Sequence, residues 1–242
     1  MELLQEQTIS AKERVLYAFF PRRCGLCGKV ILPQDWLCAD CGTALPVIPE
    51  PLCPHCGTGE ADCSCEKRQN AYRQAAAPFY YEGSVRHGIH LFKFQDRRQN
   101  AAYLGRCMAH TAREVYAGQA FDLLTCVPLS KARTRERGYN QSALLMQVVA
   151  KDLMLPCEPR LLAKPKDNLS QRGFQIEQRR ENVWGVYSAA KPELAAGKRI
   201  LLVDDVTTTG ATLNECAEVL LAAGAEAVYC LTAAVTKKIT IL

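Results

Sequence analysis

Aromatic side chains are scarce in this chain of 242 residues, 7% in all with two tryptophans, so a surface that reads nucleobases by stacking on aromatic platforms is not expected. Long apolar runs are missing too. The longest near the start, residues 15–20, is short and follows Lys12, Glu13 and Arg14. That excludes both the apolar region of an export signal and the roughly 20 residues that a membrane span needs. There is no internal repeat, no low-complexity linker and no Gly-Lys-Ser/Thr ending of a Walker loop. These absences point to a globular, cytoplasmic protein with no membrane span. The 48% hydrophobic content is enough for one α/β domain with its own core and a small module beside it.

Cysteine is the residue in excess. Of thirteen, eight crowd into residues 24–65, and without an export signal a disulfide framework is the weaker reading of such a cluster than a metal site. Three units share the form Cys-x-x-Cys-Gly, at residues 24–28, 38–42 and 53–57. In such a knuckle the turn brings two thiolates to one ion, and the glycine takes the positive φ required after the second ligand. Cys24, Cys27, Cys38 and Cys41 make one complete four-thiolate Zn²⁺ site. Cys53 and Cys56 would be completed by Cys63 and Cys65, an irregular Cys-x-Cys end that makes the second site the less regular one. His55 reads as a surface residue, and Trp36 as packing for a module too small to build a core. With four protein sulfurs each, such ions have no open position for water, so their role is structural and chemistry must be sought elsewhere.

Three regions follow along the chain. Residues 1–20, with Leu3, Leu4, Ile9, Val15, Leu16 and Phe19 at helical spacing, predict an amphipathic helix. Residues 21–70 form the cysteine-rich module. Residues 71–242 alternate apolar strand patterns at 78–81, 123–127, 160–163, 200–203 and 227–232 with helical patterns at 98–116, 140–153 and 212–223. That rhythm predicts an α/β fold with a parallel sheet flanked by helices. The net charge of +5 is concentrated in the middle, where residues 71–185 carry 18 basic and 10 acidic side chains; such an excess attracts phosphates or lies on a solvated surface.

One stretch carries chemistry. The apolar run 200–203 is followed by Asp204 and Asp205, then Thr207, Thr208, Thr209, Gly210, Ala211 and Thr212, then a helical pattern. Ligands of open α/β sheets bind beyond the carboxyl ends of strands. Small residues, hydroxyls and a helix N-terminus suit a phosphate monoester, whereas two adjacent carboxylates would repel it. The carboxylates instead suit ribose hydroxyls, directly or through hydrated Mg²⁺. A ribose 5-phosphate satisfies both halves.

The sequence VDDVTTTGAT (203–212) resembles the phosphoribosyl pyrophosphate signature of type I phosphoribosyltransferases. Together with the cysteine module and the stretches LFKFQDRRQNAAYLG (91–105), VPLSKARTRERGYNQ (127–141) and LSQRGFQIEQRRENVWGVY (169–187), it resembles the ComF family of competence-associated proteins over nearly the whole chain. The resemblance implies a type I phosphoribosyltransferase-like sheet preceded by a zinc ribbon. It implies phosphoribosyl pyrophosphate with Mg²⁺ as ligand, Asp204 and Asp205 on the ribose hydroxyls, and residues 207–212 around the 5-phosphate. It further implies Pro128, Leu129, Ser130 and Lys131 as the pyrophosphate loop. Beyond them, Arg133, Arg135 and Arg137 lie where an anion would sit or on a solvated helix face. Arg172, Arg179, Arg180 and Asn182 fall in the fold's flap, where Arg179 and Arg180 can equally pair with Glu177 and Glu181. Membership implies a role in DNA uptake or use of external DNA, as a transferase or as a non-catalytic scaffold with single-stranded DNA and a competence helicase as partners. No stretch predicts the acceptor of a phosphoribosyl group.

Overall fold

The computed structural model describes residues 17, 19–65, 69–165 and 185–237. Almost all of the helix expected over residues 1–20, and the flap residues Arg172, Arg179, Arg180 and Asn182, lie outside the described residues. The elements run α1 (Ala39–Thr43), β1 (Ala75–Ala76), β2 (Phe79–Tyr80), α2 (Gly83–Phe94), α3 (Asn100–Val115), β3 (Leu123–Cys126), α4 (Lys131–Arg137), α5 (Gln141–Leu153), β4 (Leu162–Ala163), β5 (Ser188–Ala189), β6 (Arg199–Thr207), α6 (Ala211–Ala222) and β7 (Ala227–Val235).

Four consecutive buried apolar residues, Ile200, Leu201, Leu202 and Val203, mark β6 as a strand covered on both faces. Alternation then sends Leu201 and Val203 to one side, against Ile89, Leu104 and Leu145, and Ile200 and Leu202 to the other, against Leu213, Cys216 and Leu220 of α6. The sheet is parallel throughout, in the order β1, β7, β6, β3, with β2 also paired to β7. Each fully buried Leu or Ile here contributes about 2 kcal/mol through lost apolar surface.

Two expectations need correction. The strand expected at 200–203 continues to Thr207, because β7 pairs with it as far as Thr207 opposite Val235. The segment 160–163 does not join the parallel sheet. Leu162 and Ala163 pair antiparallel with Ser188 and Ala189 in a separate ribbon, since a parallel place beside β3 is already used by the bridge from Leu124 to Cys157. The basic run after β3 is a helix, α4, capped by Ser130, whose side chain accepts from the Arg133 N–H, and closed by Gly138 at φ 75°. Helix α2 had no counterpart in the strand and helix pattern.

The cysteine module is not set apart from the α/β core. Cys24, Leu26, Ile31 and Cys41 belong to the same buried cluster as Phe79, Ile89 and Leu104. At Gly88 of α2 an added Cβ would lie 2.7 Å from Leu26 Cδ2, so only glycine admits that approach. Asn100 at the start of α3 donates from Nδ2 to the carbonyls of both Leu26 and Gly88, at 3.1 and 3.0 Å. A further edge contact joins Val47 to Phe79 of β2. Trp36 supplies the packing expected of it, half-buried against the core, with the guanidinium of Arg22 4.1 Å and that of Arg106 4.8 Å from its ring centre.

Candidate functional site

β3 accompanies β6 only as far as Cys126 opposite Val203, after which the chain turns away into α4. From Asp204 onward β6 is therefore paired on the β7 side alone, and its other side opens into a cavity of ≈ 290 Å³. Lys93, Val127, Pro128, Leu129, Ser130, Arg133, Arg137, Ser142, Lys164, Tyr187, Asp204, Asp205 and Thr212 line it. Of the residues expected at a pentose phosphate site, Asp204, Asp205, Thr212, Pro128, Leu129, Ser130, Arg133 and Arg137 meet here, whereas Thr207, Thr208, Thr209, Gly210, Ala211, Lys131 and Arg135 do not line the cavity.

The two carboxylates are held differently. Asp204 Oδ1 accepts from the Ser142 hydroxyl at 2.7 Å and from the Asp205 N–H at 2.8 Å. Burial, reinforced by the neighbouring Asp205 charge, pushes the Asp204 carboxyl up to about 7, against the opposing pull of the Ser142 bond. Asp205 instead forms a 2.7 Å ion pair with Lys93, the basic residue of the last turn of α2. Ser142 is placed by Asn140, which caps α5 through the Ser142 N–H and donates from Nδ2 to the Val127 carbonyl, tying the helix start to the end of β3.

Across the cavity α4 divides the basic run by its own period. Arg133 and Arg137, four apart, line the cavity; Lys131 and Arg135 lie on the exposed remainder of the helix. Arg137 donates to Gln141 Oε1 at 3.0 Å, and its buried Nε has no partner among the described residues. Of the threonine-rich segment, Thr212 reaches the cavity. Thr207 is buried in β6, Thr208 and Thr209 are exposed, and Gly210, at φ 79°, caps the N-terminus of α6 just ahead of Ala211. Its left-handed conformation is the one glycine favours.

Sequence reasoning did not single out Lys93, Ser142, Lys164 or Tyr187. Lys93 lay inside a quoted family stretch but on a helix that had not been foreseen. Lys164 and Tyr187 arrive from the β4–β5 ribbon, where the Lys164 ammonium stands 5.0 Å from the Tyr187 ring centre. Buried Glu215 of α6 accepts from the Val186 N–H at 3.1 Å and so anchors the strand that presents Tyr187.

The cysteines assemble as two sets, Cys24, Cys27, Cys38 and Cys41, and Cys53, Cys56, Cys63 and Cys65, with the sulfurs of each set within 4.8 Å of one another. Neighbouring sulfurs stand 3.3 to 3.8 Å apart, close to the edge of about 3.8 Å of a tetrahedron of thiolates around zinc. No two of the thirteen cysteines are joined by a disulfide, and the sulfurs within each set stand well beyond the roughly 2 Å of an S–S bond, which favours the metal reading. The irregular Cys63-Ser64-Cys65 end therefore completes a set as well as the regular knuckles do, and His55 is not part of it. Burial pushes the Cys53 thiol up to about 12; at Cys24 burial is outweighed by the N–H groups of Cys27, Cys38 and Leu26, which bring it down to about 7. Among the described residues no helix is long and apolar enough to cross a membrane.

Comparison with known proteins agrees with both halves. Residues 15–72 match the double zinc ribbon domain family and residues 141–239 the phosphoribosyl transferase domain family. The chain is 31% identical over 86% of its length to competence protein F of Haemophilus influenzae, covering 94% of that protein. It is 29% identical to DNA utilization protein YhgH of Escherichia coli, with 87% and 96% of the two chains covered. To competence protein ComFC of Bacillus subtilis it is 27% identical, with 81% and 82% covered. The chain belongs to the ComF family, with a zinc ribbon module joined to a phosphoribosyltransferase domain.

Proposed function

We propose that the cavity binds phosphoribosyl pyrophosphate together with Mg²⁺, and that the protein acts in DNA uptake or in the use of external DNA. The observation that carries this reading is the meeting of Asp204 and Asp205 with Arg133, Arg137 and the N-terminus of α6 around one opening. The carboxylates suit ribose hydroxyls, the helix N-terminus suits the 5-phosphate, and the arginines suit the pyrophosphate. Ser130, Pro128 and Leu129 supply the turn beneath that end of the ligand, with Lys131 just outside it. Hard oxygen donors at Asp204 and Asp205 fit Mg²⁺. The ion would neutralise charge on the leaving pyrophosphate if a nucleophile attacks the anomeric carbon, forming the new bond there as the carbon–oxygen bond to pyrophosphate breaks. The protein's own part is positioning and charge stabilisation.

Calorimetric titration of phosphoribosyl pyrophosphate, with and without Mg²⁺, tests this. Binding that needs Mg²⁺ and is lost in the double variant Asp204→Asn, Asp205→Asn is the expected result; absence of heat in the wild type would reject it.

A second reading, a non-catalytic scaffold contacting single-stranded DNA or a competence helicase, draws support from one feature. Lys131 and Arg135 stand exposed on the side of α4 away from the cavity, where phosphates of a strand can reach them. Binding of an oligonucleotide should then weaken steeply with salt, as phosphate contacts do; salt-independent binding would exclude it.

A further inference from the structure

The segment from Asn70 to Ala76 runs between the second cysteine cluster and the start of α6, and it is bonded to both. On the cluster side, the Tyr72 hydroxyl donates to the His55 carbonyl at 2.8 Å and Asn70 Nδ2 donates to the same oxygen at 2.9 Å. The Ala75 N–H donates to the Pro54 carbonyl at 2.8 Å. Pro54 and His55 are the two residues between the ligands Cys53 and Cys56, so these bonds end inside the knuckle itself. On the other side, the Ala71 N–H donates to Asn214 Oδ1 at 2.7 Å, and the Asn214 N–H donates to the Gly210 carbonyl at 2.9 Å. The Tyr72 hydroxyl is so near Gly210 that a Cβ there would lie 3.2 Å from it. Tyr72 is buried at 6% exposure, so solvent does not replace these contacts.

Besides these bonds the knuckle is held by its own turn, by the bridge from Leu52 to Gly59 and by the Gly59 N–H donating to the Tyr80 hydroxyl at 3.2 Å, but its apolar support is small. The small apolar cluster beside it comprises Ile48, Ala77, Tyr80 and Val235, with Leu52 packed against it. A turn with so small a core takes its rigidity from its metal. The phosphate end of the cavity, for its part, depends on where Gly210 and the first turn of α6 sit, because backbone N–H groups bind anions only when they are aimed together.

We propose that Tyr72 is a positioning residue that couples the second zinc cluster to the phosphate loop, so that metal in the ribbon and ligand in the cavity stabilise one another. The proposal rests on the reading of the cavity as a phosphoribosyl pyrophosphate site. Linkage then demands reciprocity: if zinc in the cluster tightens ligand binding by some factor, ligand must tighten zinc by the same factor. The first zinc cluster packs on α2 through Leu26 and Gly88, so its zinc should not respond to the Tyr72→Phe change.

The test uses the full zinc-loaded chain and the Tyr72→Phe variant, which keeps the ring and deletes the bond to the knuckle. Zinc content is measured first, and two ions per chain are expected in both proteins. Hydrogen exchange on the free proteins should then show residues 208–214 exchanging about tenfold faster in Tyr72→Phe, with α5 unchanged, for the loss of one buried hydrogen bond. In the wild type, phosphoribosyl pyrophosphate with Mg²⁺ should slow extraction of one of the two zinc ions by a chromogenic chelator about fivefold, and in Tyr72→Phe it should not. Asn214→Ala, which cuts the bond on the other side of the segment, should behave like Tyr72→Phe.

Unchanged exchange at 208–214 in both variants overturns the coupling, even if the ligand binds. Faster exchange in a protein that takes up no phosphoribosyl pyrophosphate upholds the coupling and rejects the function proposed for the cavity, so the two failures are distinguishable. Equal slowing of extraction in wild type and both variants also overturns the role of Tyr72.

Discussion

Lys93 Nζ stands 2.7 Å from Asp205 Oδ1, and the two side chains are only 17% and 11% exposed. The pair joins α2, which packs on the first zinc knuckle through Gly88 and Leu26, to the strand that ends in the cavity. It also gives one of the two adjacent carboxylates a cationic partner, while the other is held by Ser142.

Removing the cation leaves a largely buried carboxylate uncompensated. Lys93→Met is expected to lower stability by about 1 to 3 kcal/mol. Thermal unfolding at neutral pH reads this loss, and the double variant Lys93→Met, Asp205→Asn should recover much of it. If Lys93→Met melts with the wild type, the ion pair contributes nothing net.

Asp204 predicts the opposite sign. Its carboxyl is raised to about 7 in the folded protein, above its ordinary value. The folded state therefore binds more protons than the unfolded one between those two values, and stability falls as pH rises through that window. Asp204→Asn removes this dependence while an amide oxygen can still accept from Ser142. The variant should melt higher than wild type by a few degrees at about pH 8 and no higher at about pH 4, though it loses the ligand. A melting difference that is constant with pH would show that Asp204 is not held protonated.

The two arginines of α4 that differ in facing make a paired test of the pyrophosphate end. Arg133→Ala should weaken phosphoribosyl pyrophosphate binding by about tenfold or more, the scale of one charge-assisted contact. Arg135→Ala, on the exposed side, should leave it unchanged in calorimetry. Equal losses in both would mean that long-range charge, not contact, is what the helix supplies.

Zinc removal should unfold more than the ribbon, because Cys24 and Cys41 lie in the same buried cluster as Phe79 and Leu104. Cys24→Ser is expected to reduce zinc from two ions per chain to one and to lower the melting temperature of the whole protein in a single transition. Separate transitions for ribbon and sheet, followed by circular dichroism, would contradict this integration.

Much of the architecture was legible because it rests on local patterns. The apolar run 200–203, the paired aspartates and the glycine before α6 announce a strand, a turn and a helix start without reference to any distant residue. The knuckle spacings announce metal in the same way. Other features depended on contacts far apart in the chain. Strand β6 is longer than its apolar run because β7 continues beside it, pairing polar Asp204 with Thr232. The pattern at 160–163 announced a strand, but not its antiparallel pairing with β5, because a two-residue partner carries no period. The irregular end at Cys63 and Cys65 looked incomplete in spacing, yet Cys63 stands 3.6 Å from Cys56 and Cys65 3.8 Å from Cys53.

By itself the sequence determined what kinds of groups are available: eight thiols in metal-binding spacing, two carboxylates after a buried strand, and a basic run beyond another strand. Covalent order and period suffice for that, since neighbours within a turn or knuckle are always near one another. Only the tertiary structure decided which of these groups meet. The end of β3 opposite Val203 opens the cavity beside Asp204, the turn of α4 admits Arg133 and Arg137 but not Arg135, and α2 carries Lys93 to Asp205 from 112 residues earlier in the chain. Those choices follow from how helices pack on a sheet, and packing joins residues that no spacing along the chain connects.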